Sequence, residues 1–120
     1  NDIGGLKSAD AVPQLVQDLK IAYTQMIDKA HAKGIKVIGA TILPFGKSFY
    51  DNEYRQTARD SVNSWIRNSS KFDAVIDFDK VMQDPQNIRM LLSEIQGDYL
   101  HPNENGYKKM GEFIDLNIFK

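Results

Sequence analysis

The sequence predicts an α/β domain built on a parallel sheet, and three observations carry that prediction. Two long segments place apolar residues at helical spacing. Two short β-branched runs, apolar on both faces, alternate with them. A third helical pattern closes the chain, so the order is helix, strand, helix, strand, helix. Two strands are few for three helices, and a two-stranded parallel sheet leaves long apolar edges exposed. The expectation is that residues 1–120 form the C-terminal part of one larger α/β domain, contributing about its last two strands and three helices. The first of those strands should then present an unpaired edge.

Asn1 to Ser8 reads as loop, broken at Gly4-Gly5. From Ala9 to Lys33, the residues Val12, Leu15, Val16, Leu19, Tyr23, Met26, Ile27 and Ala30 keep helical spacing. Ser8 or Asp10 can cap the start, Pro13 fits a first turn, and Gly34 suits the position just past the end. Ile35–Leu43 is short, β-branched and apolar on both faces, as a buried parallel strand requires, and Pro44-Phe45-Gly46 ends it. Asp51 can cap a second helix running to Asn68, with Tyr54, Ala58, Val62, Trp65 and Ile66 on one face. Phe72–Phe78 is the second strand. Asp79–Met82 can form a helical turn, Asp84-Pro85-Gln86-Asn87 a chain reversal, and Ile88–Ile95 short helix or loop. Asn103 is a good cap for a last helix, where Tyr107, Met110, Phe113 and Ile114 share a face.

Composition excludes several classes. The 120 residues carry a net charge of -1, with no basic patch to suggest nucleic acid or an anionic membrane. No apolar run approaches the ~20 residues of a membrane span. There is no cysteine, hence no disulfide, thiolate zinc site or cysteine nucleophile. The residues name no compartment. Asn1-Asp2-Ile3-Gly4-Gly5 has the character of a loop interior.

One stretch stands out as chemistry. Gly97-Asp98-Tyr99-Leu100-His101-Pro102-Asn103 holds one of only two histidines, three residues after a carboxylate, on a loop before the last helix. Functional loops of open α/β sheets lie beyond the carboxyl ends of the strands. A carboxylate bonded to imidazole Nδ1–H fixes the tautomer and makes the other nitrogen a base. Asp-x-x-His alone is a weak pattern, and a loop histidine with an acidic neighbour is the competing reading. His31, near the end of the first helix, reads as a solvated helix-terminal residue. Gly46-Lys47-Ser48, between strand and helix, invites a phosphate-loop reading. Thr41 occupies the place of that motif's first glycine, however. Asp73, Asp77 and Asp79 surround the second strand and could suggest acid–base or magnesium chemistry. Alternate positions at strand ends more simply face solvent. Of the serines Ser8, Ser48, Ser61, Ser64, Ser69, Ser70 and Ser93, none lies in a Gly-x-Ser-x-Gly elbow or makes a convincing partner for His101.

Together these residues resemble the GDSL/SGNH hydrolases. The last block of that family is Asp-x-x-His, often followed by Pro, Asn and a Gly-Tyr pair. Here it reads Asp98-Tyr99-Leu100-His101-Pro102-Asn103-Glu104-Asn105-Gly106-Tyr107. The family's third block is Gly-x-Asn-Asp, and the chain opens on its second half, Asn1-Asp2. Thr41–Phe45 and Arg59–Ile66 are similar to the family's middle section, so the likeness covers essentially the whole chain. The Gly-Asp-Ser block with the nucleophile and the glycine block of the oxyanion hole are not among these residues.

The resemblance implies a flavodoxin-like three-layer α/β/α domain of five strands, with only the last two in this chain. It implies hydrolysis of a carboxylic ester through an acyl-enzyme, with no metal or cofactor. His101 would be the general base, Asp98 its orienter, and the Asn1 amide a donor in the oxyanion hole. Asp2 would brace the loop, and Pro102 and Asn103 would hold the His101 loop against the last helix. The serine would lie outside the chain, and the 120 residues alone would be inactive. The expected partners are a small-molecule, carbohydrate or lipid ester, and an N-terminal portion of the domain or another copy of the chain. Tyr99, Phe45 and Phe49 could line an acyl or sugar pocket, with core packing an equal explanation. Family resemblance favours an extracellular or periplasmic setting. A non-catalytic α/β binding module and a nucleotide-binding domain using Gly46-Lys47-Ser48 are the rivals from other classes.

Overall fold

A computed structural model describes all of residues 1–120. The first helical segment is a 3₁₀ turn at Ala9–Ala11 running into α1, Val12–His31. Pro13 sits at its amino end, where a missing N–H costs nothing. Gly34 closes it as expected. At φ +69° it lets its own N–H reach His31 O (2.9 Å) while Ile35 N–H reaches Ala30 O (3.0 Å). β1, Ile38–Ala40, pairs in parallel with β2, Ala74–Ile76, in the register Ile38 to Ala74 and Ala40 to Ile76. Both strands are shorter than the apolar runs that predicted them. β1 has a strand on one edge only. Ala40 and Val75 are exposed, so burial on both faces does not hold for these strands within the chain.

Between the strands lies α2, Glu53–Asn68. Its cap is Asn52, whose Oδ1 accepts from Arg55 N–H at 2.9 Å, and not Asp51. Asp51 is drawn away by the preceding loop, where its carboxylate accepts from Lys47 N–H and Gln56 Nε2. Ala58, Val62 and Ile66 of α2 meet Val12 and Val16 of α1, with Ile3, Leu6 and Phe45, in the main core. Phe45 is thus a core residue, while Phe49 is 75% exposed.

After β2 come α3, Phe78–Met82, and a hairpin of β3, Gln83–Asp84, with β4, Asn87–Leu91. The turn at 84–87 agrees with the sequence reading. Of the stretch Ile88–Ile95, Ile88–Leu91 is strand, while Ser93–Ile95 is a short 3₁₀ helix, as one of the two readings expected. Asp84 Oδ1 accepts from Gln86 N–H (2.8 Å), which sets the reversal. Gly46 N–H to Arg89 O (2.6 Å) and Leu92 N–H to Met82 O (3.1 Å) then hold the hairpin to its neighbours. Gly46 is required there, because a Cβ would stand 2.5 Å from Arg89 O. Met82, Leu91 and Ile95 form a second small core under the last helix, α4, Glu104–Phe113. No helix is long and apolar enough to cross a membrane.

The three carboxylates around β2 do not all face solvent. Asp79 is buried, and Arg59, Arg67 and Asp77 join it in an ion network that ties α2 to α3. Asp77 also accepts from Thr41 Oγ1 at 2.9 Å. Its carboxyl is held below the usual range, first by its hydrogen bond to Arg67. The local alternation read at the strand end has no information about two arginines arriving from another helix.

Candidate active site

The Asp98–His101 loop is built by the chain on both sides of it. Gln96 and Pro102 form an antiparallel bridge that closes the loop. Asn103 N–H reaches Ile95 O at 2.8 Å, and Asn103 Nδ2 reaches Glu94 O at 3.1 Å. Asn103 Oδ1 accepts from Gly106 N–H at 3.0 Å, capping α4 as its position in the sequence predicts. Gly106 permits this close approach, since a Cβ would lie 2.5 Å from Ile95 O.

Inside that frame one carboxylate makes three hydrogen bonds. Asp98 Oδ1 accepts from Leu100 N–H (3.0 Å) and His101 N–H (2.7 Å). Asp98 Oδ2 lies 2.7 Å from His101 Nδ1. An ionised carboxylate only accepts, so the proton of that bond sits on Nδ1. Nε2 has no protein partner, and the side chain is 68% exposed. The imidazole therefore carries a free basic nitrogen with a fixed orientation.

The hydrogen bond from His101, followed by those from the two backbone N–H groups, holds the Asp98 carboxyl down at about 2. A carboxylate depressed on folding contributes stability that is present above its unfolded value, about 3.9, and lost as the pH falls toward 2. Asp98 is accordingly expected to titrate near 2 when its carboxyl carbon is followed by NMR. A midpoint near 4 would mean that the pair with His101 does not form in solution.

Asn1 lies at the start of a 3₁₀ turn, Ile3–Gly5. Tyr50 OH donates to Asn1 Oδ1 at 3.2 Å, which leaves the Nδ2 hydrogens unused. The Tyr50 ring lies so close over Gly4 that a Cβ there would require the ring to move. Asn1, Tyr50 and Leu100, the neighbour of His101, line one cavity of about 270 Å³ with Leu19, Tyr23 and Phe45. Asp2 shares that cavity, and its backbone, not its side chain, braces the turn through Gly5 N–H at 3.1 Å. Tyr50 and Gln96 were invisible as site residues in the sequence. Only the fold brings Tyr50 across to Asn1, and Gln96 carries no motif.

The other candidates resolve on geometry. Gly46, Lys47 and Ser48 have no free amides for a phosphate, since their N–H groups go to Arg89 O, Asp51 Oδ2 and Phe45 O. Ser48 is buried, and its Oγ accepts from Tyr50 N–H. No serine hydrogen-bonds to His101, whose only side-chain partner is Asp98. His31 is part exposed, as expected for a helix end, and pairs with Asp73 at 2.8 Å. Asp73 is held low chiefly by Val37 N–H and then by His31. No three acidic or histidine side chains converge as a metal-binding group.

Comparison with curated proteins gives no match. A family model matches residues 1–109, a span that runs from the Asn1 turn through the Asp98–His101 loop into α4, and the chain belongs to the GDSL-like lipase/acylhydrolase family.

Proposed function

We propose that His101 is the general base of a serine ester hydrolase, oriented by Asp98, with the Asn1 amide donating to the oxyanion. Family membership supplies the coarser statement, hydrolysis of an acyl ester. The observation that supports the finer one is the state of the imidazole, with Nδ1–H bound to Asp98 and Nε2 open to solvent. In this reading Nε2 takes the proton from the serine hydroxyl as it attacks the ester carbonyl. The imidazolium then returns it to the departing alcohol, and water deacylates the enzyme by the same route. Tyr50 keeps Asn1 Oδ1 occupied, so that Nδ2 is the group offered to the tetrahedral oxygen, a contact worth about 3 kcal/mol in comparable sites. The serine lies outside these 120 residues. The substrate is a small-molecule, carbohydrate or lipid ester, whose acyl or alcohol part would enter the apolar cavity beside Leu100.

The test is an aryl-ester assay on two proteins. Residues 1–120 alone are expected to give no turnover above background. Joined to a segment carrying the Gly-Asp-Ser block, they are expected to hydrolyse the ester and to be silenced by a serine-reactive phosphonate. Robust hydrolysis by 1–120 would overturn the assignment. An inert joined protein would leave a non-catalytic binding module.

A further inference from the structure

Tyr99 is in the left-handed region, with φ +63°, in the middle of the Asp98–His101 turn. A non-glycine residue there is strained, and something must hold it. Side-chain burial does not. Tyr99 is 40% exposed, and its one cationic neighbour, Lys47 Nζ, is 6.0 Å from the ring centre. The backbone is held instead. Tyr99 N–H donates to Gln96 Oε1 at 2.6 Å, shorter than the common amide hydrogen bond. Gln96 is itself fixed by its bridge to Pro102 and is half-buried. The reversal at Tyr99 is what lets Leu100 N–H and His101 N–H converge on one Asp98 oxygen while the other reaches Nδ1.

We propose that Gln96 is a positioning residue: its side-chain oxygen holds Tyr99 in the left-handed conformation that brings Asp98 onto His101 Nδ1. The inference rests on reading Asp98 and His101 as orienter and base. It adds that their geometry is set from three residues upstream of Tyr99, by a side chain that hydrogen-bonds to neither of them. Glycine adopts positive φ without strain, so the inference makes a prediction specific in sign. Loss of the Gln96 contact should be repaired by glycine at position 99.

The readout is the tautomer of neutral His101, taken from imidazole ¹⁵N shifts of the 120-residue chain. In the natural sequence Nδ1 should carry the proton. Gln96→Ala is expected to shift the Nδ1–H to Nε2–H ratio toward Nε2–H by about fivefold, the scale of one net hydrogen bond. Gln96→Glu, which keeps an acceptor, should stay close to the natural ratio. Gln96→Ala combined with Tyr99→Gly should recover most of it. An unchanged ratio in Gln96→Ala, or no recovery with Tyr99→Gly, would overturn the inference. Amide spectra of each variant separate a lost turn from a lost fold. A natural chain with no Nδ1–H preference would instead overturn the orienter reading itself.

Discussion

Asp98→Asn in the serine-bearing enzyme is expected to lower kcat by about 10⁴ with the fold intact. The reason lies in how the carboxylate is used. Asp98 Oδ1 takes two backbone N–H groups, from Leu100 and His101. An asparagine must keep its only oxygen there, or set its amide hydrogens against two donors. Its Nδ2 therefore faces His101 Nδ1, where the carboxylate had accepted. Two donors cannot share that bond, so Nδ1 becomes the acceptor and the proton moves to Nε2. The imidazole keeps its place but can no longer take a proton from serine. KM should change little, because Asp98 acts on Nδ1, on the side of the ring away from the free Nε2. A loss of less than tenfold would remove Asp98 from the mechanism. The same variant in the 120-residue chain should show Nε2–H by ¹⁵N NMR, which tests the argument without turnover.

Asp79→Ala is expected to destabilise the protein by about 3–5 kcal/mol, the scale of a buried ion pair stripped of one partner. The Arg59 side chain is 3% exposed, and its Nη1 lies 2.6 Å from Asp79 Oδ1. Its Nε has no hydrogen-bond partner, so Asp79 supplies much of its compensation. Without that carboxylate, Arg59 keeps the solvated Asp60 at 3.2 Å and the face of Phe45, 5.7 Å from the ring centre. Neither replaces a buried counter-charge. Arg67, 34% exposed, can fall back on Asp77. Arg59→Met should cost less than Asp79→Ala, because Asp79 still holds Arg67 at 2.7 Å and the apolar side chain meets Phe45. Urea midpoints at neutral pH order the two variants. A loss below 1 kcal/mol for Asp79→Ala, or the reverse order, would show that the network is not what joins α2 to α3.

Helix positions were legible because their signals are local. The periodicity of Val12 to Ala30, Gly34 at φ +69° and Asn103 as a cap all act within a few residues. The strands were legible in place but not in length, since pairing, not propensity, decides where a strand ends. The β4 strand at Asn87–Leu91 was not legible. It is a strand through its pairing with the two-residue β3, and the bond that ties it to the rest of the fold comes from Gly46 N–H, far earlier in the chain, to Arg89 O. Asp79 was misread for the same reason, its partners arriving from α2.

By itself, then, the sequence determined the order of the three longest helices and the two parallel strands, the family likeness and the pair at Asp98 and His101, each written in neighbouring residues or a short motif. Only the tertiary structure decided which imidazole nitrogen is free, that Tyr50 holds Asn1, and that Gln96 holds Tyr99. Each of these depends on where a hydrogen bond finds its second partner. A hydrogen bond is a matter of a few tenths of an ångström and a direction, and a linear pattern carries neither.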